Sequence, residues 1–258
     1  MPTITTGRKI DKNGHPIDGT GFDYDSGDRL GELLNQRISP LFSQPVTGEW
    51  VFGLVSSIET SGEFERGVGV FRPGNAGPPE HFHPTYDEHF DIVLGEFIFK
   101  IGGKERRARA GEQLLIQKGT PHTFRCVGDR HGATIVETRP AARTGEVIAT
   151  LFGMAHEGAL TPQGQPKFLQ AMVIGSEYAD DTVFTNPPPG IAIPIAKALA
   201  PIGRLLGFRP TYARYAELTF WSARVEQPKL NEEDKILQLY RDRVAEWLKT
   251  RQGRNAGA

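Results

Sequence analysis

Seven histidines stand at positions 15, 81, 83, 89, 122, 131 and 156, and one group among them is spaced for joint chemistry. His81 and His83 flank Phe82; in an extended strand, residues two apart point to the same side, so both imidazoles face one point. The turn from Pro84 to Asp87 brings the chain back with Glu88 alongside. A fourth group arrives later, where the run from Gly111 ends and His122 opens a new strand. The His-x-His pair with Glu and Gly at these offsets is expected by chance about 0.002 times in a chain of this composition. Converging imidazoles and a carboxylate are metal ligands.

The neighbours of this group have their own readings. Tyr86 and Asp87 precede Glu88 in the turn, and Tyr86 joins Glu88 as a candidate acid–base group. Alternation turns Phe90, Phe99, Phe124 and Cys126 inward with the ligands, so these four are the candidate lining of a substrate pocket. His89 should face outward. His15, His131 and His156 read as surface residues in an arm, a loop and a helix end. Lys104, Arg106, Arg107 and Arg109 read as a solvated face of a hairpin.

The elements that must carry these residues are short and β-rich. Between Trp50 and Arg139 lie the runs WVFGLVSSIE, GVGVFR, EHFDIVL, EFIFKI, GEQLLIQ, HTFRCV and ATIVETR, separated by PGNAGPP, IGGK, ARAG, KGTP and GDRHG. With 30 glycines and 19 prolines in 258 residues, a helical bundle is disfavoured and a sandwich or small barrel is expected. Before it, residues 1–45 read as a polar arm with one short helix, from Arg29 to Ile38. After it, residues 141–258 take a helical period, with helices near Glu146 to Glu157, Lys167 to Tyr178, Ile193 to Gly207 and Glu232 to Arg251. The third of these is the most apolar stretch of the chain. With Lys197 and Arg204 on one face it is expected to pack on protein, and it could close one mouth of the barrel.

The pattern resembles the cupin superfamily. HFHPTYDEHFDIVLG reads as HxHxxxxExxxxxxG, and GEQLLIQKGTPH as GxxxxxPxGxxH with Gln117 in the proline position. The leading glycine of the first motif is displaced to Gly74, beside Asn75, and the closing Asn of the second is Cys126. PVTGEW, PGNAGPPEHFHP and PPPGIAIPIAKALAPIGRLLGFRPTY are similar to a group of bacterial single-domain cupins with a helical C-terminal extension. The resemblance implies a mainly β protein: a double-stranded β-helix (jelly-roll) barrel over residues 46–140, between an N-terminal arm and C-terminal α-helices. It also implies one divalent metal held by His81, His83, Glu88 and His122.

Such a ligand set suits Fe, Mn, Ni, Co or Zn. On an octahedral ion it leaves two adjacent positions for a substrate, or for substrate and O2. A closed structural zinc site would usually need cysteines, and Cys126 is the only one. The expected activity is therefore an O2-dependent, dioxygenase-like oxidation of a small organic molecule. A redox-neutral lyase or isomerase and a noncatalytic small-molecule-binding barrel are the alternatives. A net charge of −1 and the lack of a basic face argue against a nucleic-acid partner. No transmembrane span, a cytoplasmic location and a homodimer complete the expectations.

Overall fold

The computed structural model describes residues 2–229; the helix expected from Glu232 to Arg251 lies outside them. In chain order the elements are β1 (Thr3–Thr6), β2 (Phe22–Asp25), α1 (Arg29–Asn35), β3 (Phe42–Gln44), β4 (Glu49–Val55), β5 (Glu65–Phe71), β6 (His81–Phe82), β7 (Asp87–Leu94), β8 (Glu96–Ile101), β9 (Lys104–Arg109), β10 (Gln113–Ile116), β11 (His122–Val127) and β12 (Gly132–Arg139). They continue with α2 (Thr144–His156), α3 (Phe168–Glu177), β13 (Val183–Phe184), α4 (Pro189–Leu205) and α5 (Leu218–Ser222). The chain is mostly β, and every pairing is antiparallel.

Two sheets face each other. One runs β10-β7-β12-β5-β4-β3 and the other β13-β6-β11-β8-β9. Phe71, Phe90 and Ile92 from the first meet Phe97, Phe99, Phe124 and Cys126 from the second in a buried core. Alternation along each strand sends the opposite residues outward. The tight β7–β8 turn needs Gly95: its φ is +73°, and a Cβ there would lie 2.9 Å from the His131 carbonyl oxygen.

The outer face of the six-stranded sheet has a second core. Trp50, Phe52, Val68 and Val70 are covered by Phe22, Leu30, Leu34 and Leu41 from the N-terminal segment and by Phe152, Tyr215, Phe220 and Trp221 from the C-terminal one. The first 45 residues thus hold a hairpin, a helix and an edge strand rather than only a polar arm with a helix. Asp28 caps α1 by accepting from the Gly31 N–H at 2.7 Å, and Leu30, Leu33 and Leu34 share its buried face. Their burial was hidden because β1 and β2 are short and separated by a long turn.

Of the four expected histidine positions outside the ligand group, two differ from the reading. His15 and His89 are exposed. His131 instead packs against Trp50 and Phe22, with ring centroids 5.7 and 6.3 Å away. His156 packs on Trp221 and places Nε2 2.9 Å from the Ser43 hydroxyl, because α2 lies on β3. Burial pushes the His156 imidazole down to about 4. The β9 side chains other than Ala108 face solvent, as the charged run predicts.

The apolar stretch forms α4, which packs on α3 through Ala196, Ala200 and Gly203; a Cβ on Gly203 would meet Val173 Cγ2 at 2.6 Å. Ile191, Ile195, Ile202, Leu205 and Leu206 are exposed on its other side. The segment that lies beside the ligand group is β13, which pairs Phe184 with His81. No helix among the described residues is long and apolar enough to cross a membrane.

Candidate metal centre

The ligand group closes one end of the barrel. His81 on β6 and His122 on β11 are directly opposed, Glu88 enters from β7, and His83 lies just past the end of β6. All four are buried, and one ligand atom from each lies within 4.8 Å of the other three. The inward residues stack below them in layers set by the sheet register. Phe99 opposes Phe124 and Val136 opposes Phe90 in the next layer; Phe97 opposes Cys126 in the one after.

Hydrogen bonding fixes which atoms face inward. Nδ1 of His81, His83 and His122 lies 2.8, 3.0 and 2.9 Å from the carbonyl oxygens of Pro79, Asp181 and Thr120. A carbonyl only accepts, so each Nδ1 carries the hydrogen and each Nε2 keeps its lone pair. Yet Nε2 of His83 and of His122 sit 3.2 and 2.8 Å from Glu88 Oε2. Among the described residues, no donor reaches these three buried atoms. Acceptors pressed together without water repel unless a cation lies between them. The donor set therefore fits a divalent ion. A proton shared with Glu88 answers the same repulsion, so protons and metal compete for this point.

The electrostatics agree. Burial alone would raise the Glu88 carboxyl, but His122 and His83 hold it well below the usual carboxylate range. Burial, with the charge of His122 adding to it, pushes His81 down to about 4, leaving a neutral imidazole at neutral pH. His83 is shifted upward, because the contact with Glu88 outweighs its burial.

The other predicted site residues take distinct places. Tyr86 stacks on His83 with centroids 4.3 Å apart and planes 21° apart. Its hydroxyl meets Thr144 Oγ1 at 3.0 Å and Asp181 Oδ1 at 3.3 Å. Burial and the Asp181 charge hold that phenol far above its ordinary value, so it stays protonated. Tyr86 thus braces His83 from behind. Phe90, Phe99 and Phe124 form an interlocked floor beneath the ligands, with centroids 5.0 to 5.7 Å apart. Cys126 lies one layer deeper, its thiol raised by burial and directed at the Phe71 carbonyl, 3.8 Å away.

Asp181 is the residue that the sequence reading missed. Its carbonyl orients His83, and its carboxylate accepts from Tyr86, from Thr182 at 2.9 Å, from Thr144 at 3.4 Å and from the Arg143 N–H at 2.7 Å. It stands 98 residues after His83, in a segment with no sequence signature to connect the two.

An antiparallel double-stranded β-helix with a buried three-histidine, one-carboxylate cluster at one end defines a class of metal-site barrel. Residues 67–138 match the family described as the cupin domain, so the barrel of this chain is a cupin domain. A curated relative, the polyketide synthase CurC of Streptomyces cyaneus, is 32% identical over 76 residues, which make up 30% of this chain and 49% of that one. The chain thus spans about half the length of that relative. Among solved structures, KdgF from Halomonas sp. matches with a TM-score of 0.35 at 18% identity, covering 38% of this chain and 84% of that one. A predicted oxalate decarboxylase from Thermotoga maritima matches with a TM-score of 0.37 at 21% identity, covering 41% and 96%.

Proposed function

We propose that this chain is a mononuclear metal-dependent enzyme acting on a small organic molecule, and that the reaction is an O2-dependent, dioxygenase-like oxidation. One observation carries the metal: Nε2 of His83 and His122 and Oε2 of Glu88 converge, buried, with no donor among them. An ion of Fe, Mn, Ni, Co or Zn bound there supplies Lewis acidity toward a substrate oxygen. The chain's own residues do the positioning. The carbonyls of Pro79, Asp181 and Thr120 keep three Nε2 atoms turned inward. Tyr86 and Asp181 fix the plane of His83, and Glu88 supplies the negative charge. Phe90, Phe99 and Phe124, with Cys126 below, offer a dry apolar floor for the substrate.

A redox-neutral lyase or isomerase is the second reading. It is favoured by a further carboxyl group, Glu65, which shares the inward parity of Phe71 and has no hydrogen bond or ion pair among the described residues. The reading also places the chain in the cytoplasm, as one buried thiol needs no oxidising compartment, and as a homodimer that covers the exposed side of α4.

Elemental analysis of the purified full-length chain should find about one divalent ion per chain. Oxygen uptake by the loaded protein with a panel of small oxygen-bearing compounds tests the oxidation; equal turnover without O2 would select the redox-neutral reading. A folded chain that holds no ion and refuses added ions would overturn both.

A further inference from the structure

Strand β5 shows two different faces. Val68 and Val70 point into the outer core. Glu65, Gly67, Gly69 and Phe71 have the opposite parity, and Phe71 lies in the barrel core. The sheet register then aligns Glu65 with the ligands: Glu65 opposes Thr138 on β12, and Thr138 opposes Glu88 on β7. Directly opposed residues share a face, so Glu65, Thr138 and Glu88 form one row at the ligand level. With strands about 4.8 Å apart, the backbones of Glu65 and Glu88 are about 10 Å apart across that row. Thr138 of β12 fills the position between them, so a molecule reaching from Glu65 to the ligands would lie over Thr138.

Beside Glu65, strand β5 leaves the floor of the barrel without a side chain of its own. In the floor layer, Val136 opposes both Phe90 and Gly67, so β5 contributes no side chain where the other strands contribute large ones. A Cβ on Gly67 would meet only the Phe52 carbonyl group, at 3.2 Å from its oxygen. The charged neighbours of Glu65 are already engaged. Arg66 faces the other way and pairs with Glu137, and Asp181 accepts four hydrogen bonds. The Glu65 side chain has no hydrogen bond or ion pair among the described residues.

We infer that Glu65 is the substrate-facing acid of this site, donating a hydrogen bond from its carboxyl to one oxygen of a small carboxylate or carbonyl compound whose other oxygen lies toward His81, His83, Glu88 and His122. The inference rests on the metal reading above and adds to it a substrate class and a second point of attachment. The proton is available at neutral pH. Burial, followed by the charges of Asp181 and Glu146, raises Glu65 to about 8. The carboxylates that act on it are those two, and Glu88 stands across Thr138 in the same row. Arg143 is taken by Glu177 and Glu146.

The test uses the full chain loaded with Co(II), whose visible spectrum reports ligands, and acetate as the probe. Glu65→Gln and Glu65→Ala should take up Co(II) like the wild type. Acetate should bind Glu65→Ala about tenfold more weakly, the loss of one charge-assisted hydrogen bond. It should bind Glu65→Gln nearly as the wild type does, because the amide still donates. Above about pH 8 the wild type should lose acetate affinity about tenfold per pH unit more steeply than Glu65→Gln. A Glu65→Ala chain that binds acetate like the wild type, or a Glu65→Gln chain with the wild-type pH profile, would overturn the assignment and leave the metal reading standing. If the Ala variant does not fold, the pH arm with Gln decides alone. A wild-type chain that takes up no Co(II) would overturn the metal reading and this inference with it.

Discussion

The outer face of the six-stranded sheet is closed by large apolar side chains from both ends of the sequence, whereas its inner face carries Phe71, Phe90 and the Glu88 carboxylate and looks across the barrel at the imidazoles of His81 and His122 on the other sheet. Trp50, Phe52, Val68 and Val70 on the outside are all but inaccessible, and each side chain of this size contributes about 1.5–3 kcal/mol through burial. On the inside, the ligand layer gathers acceptors that repel one another. One sheet thus separates stability from chemistry by its thickness alone. The barrel can hold an unfavourable cluster because the opposite face of the same strands is so well packed.

The largest effect should come from the inner face. His83→Ala or His122→Ala should abolish stoichiometric metal uptake, measured by elemental analysis. In the presence of a chelator, either variant should unfold at a temperature no lower than the wild type, because one repelling acceptor has gone; a collapse of the fold would mean that the two faces are not independent. Trp50→Ala tests the other face. It should cost about 3–5 kcal/mol in urea unfolding while leaving the metal content per folded molecule unchanged. Asp181→Ala sharpens the comparison, since it leaves every ligand in place and removes only the carboxylate that anchors the carbonyl behind His83. Zn(II) affinity should fall about 10- to 100-fold in a competition assay, with little change in stability.

A smaller effect concerns pH. His156 belongs to the outer core and is pushed down to about 4 from an ordinary 6.5. Between those values the unfolded chain binds a proton that the folded chain refuses, so stability is full above pH 6.5 and declines as the pH falls toward 4. His156→Gln should flatten that slope in pH-dependent unfolding. Smallest should be Ile195→Ser on the exposed side of α4, within about 0.5 kcal/mol for the monomer. Sedimentation tests the proposed homodimer: this variant should self-associate more weakly than the wild type, and equal association would remove the exposed side of α4 as the dimer face.

The ligand group was legible because strand geometry acts over two residues: His81 and His83 must share a side, and the turns at Gly95 and Gly119 confine where Glu88 and His122 can lie. The inward set Phe90, Phe99, Phe124 and Cys126 followed from the same alternation. What alternation cannot supply is register. Glu65 reaches the ligand layer only because β12 lies between β5 and β7, and no local pattern states that order. A weaker signal was present: in ERGVGVF the valines form one face, which leaves Glu65 and two glycines on the other. Asp181 and His156 lay beyond reach for another reason. Their partners come from sequence-distant elements, and a helical period tells which face of a helix is buried without telling what it is buried against.

The segment from Asp181 to Phe184 pairs with β6 and places its own backbone against His83. Because that contact helps present a ligand, linkage makes the relation reciprocal: whatever free energy the docked segment adds to ion binding, a bound ion returns to the docking of the segment. The protection of residues 181–184 against proteolysis or hydrogen exchange therefore becomes a gauge of site occupancy.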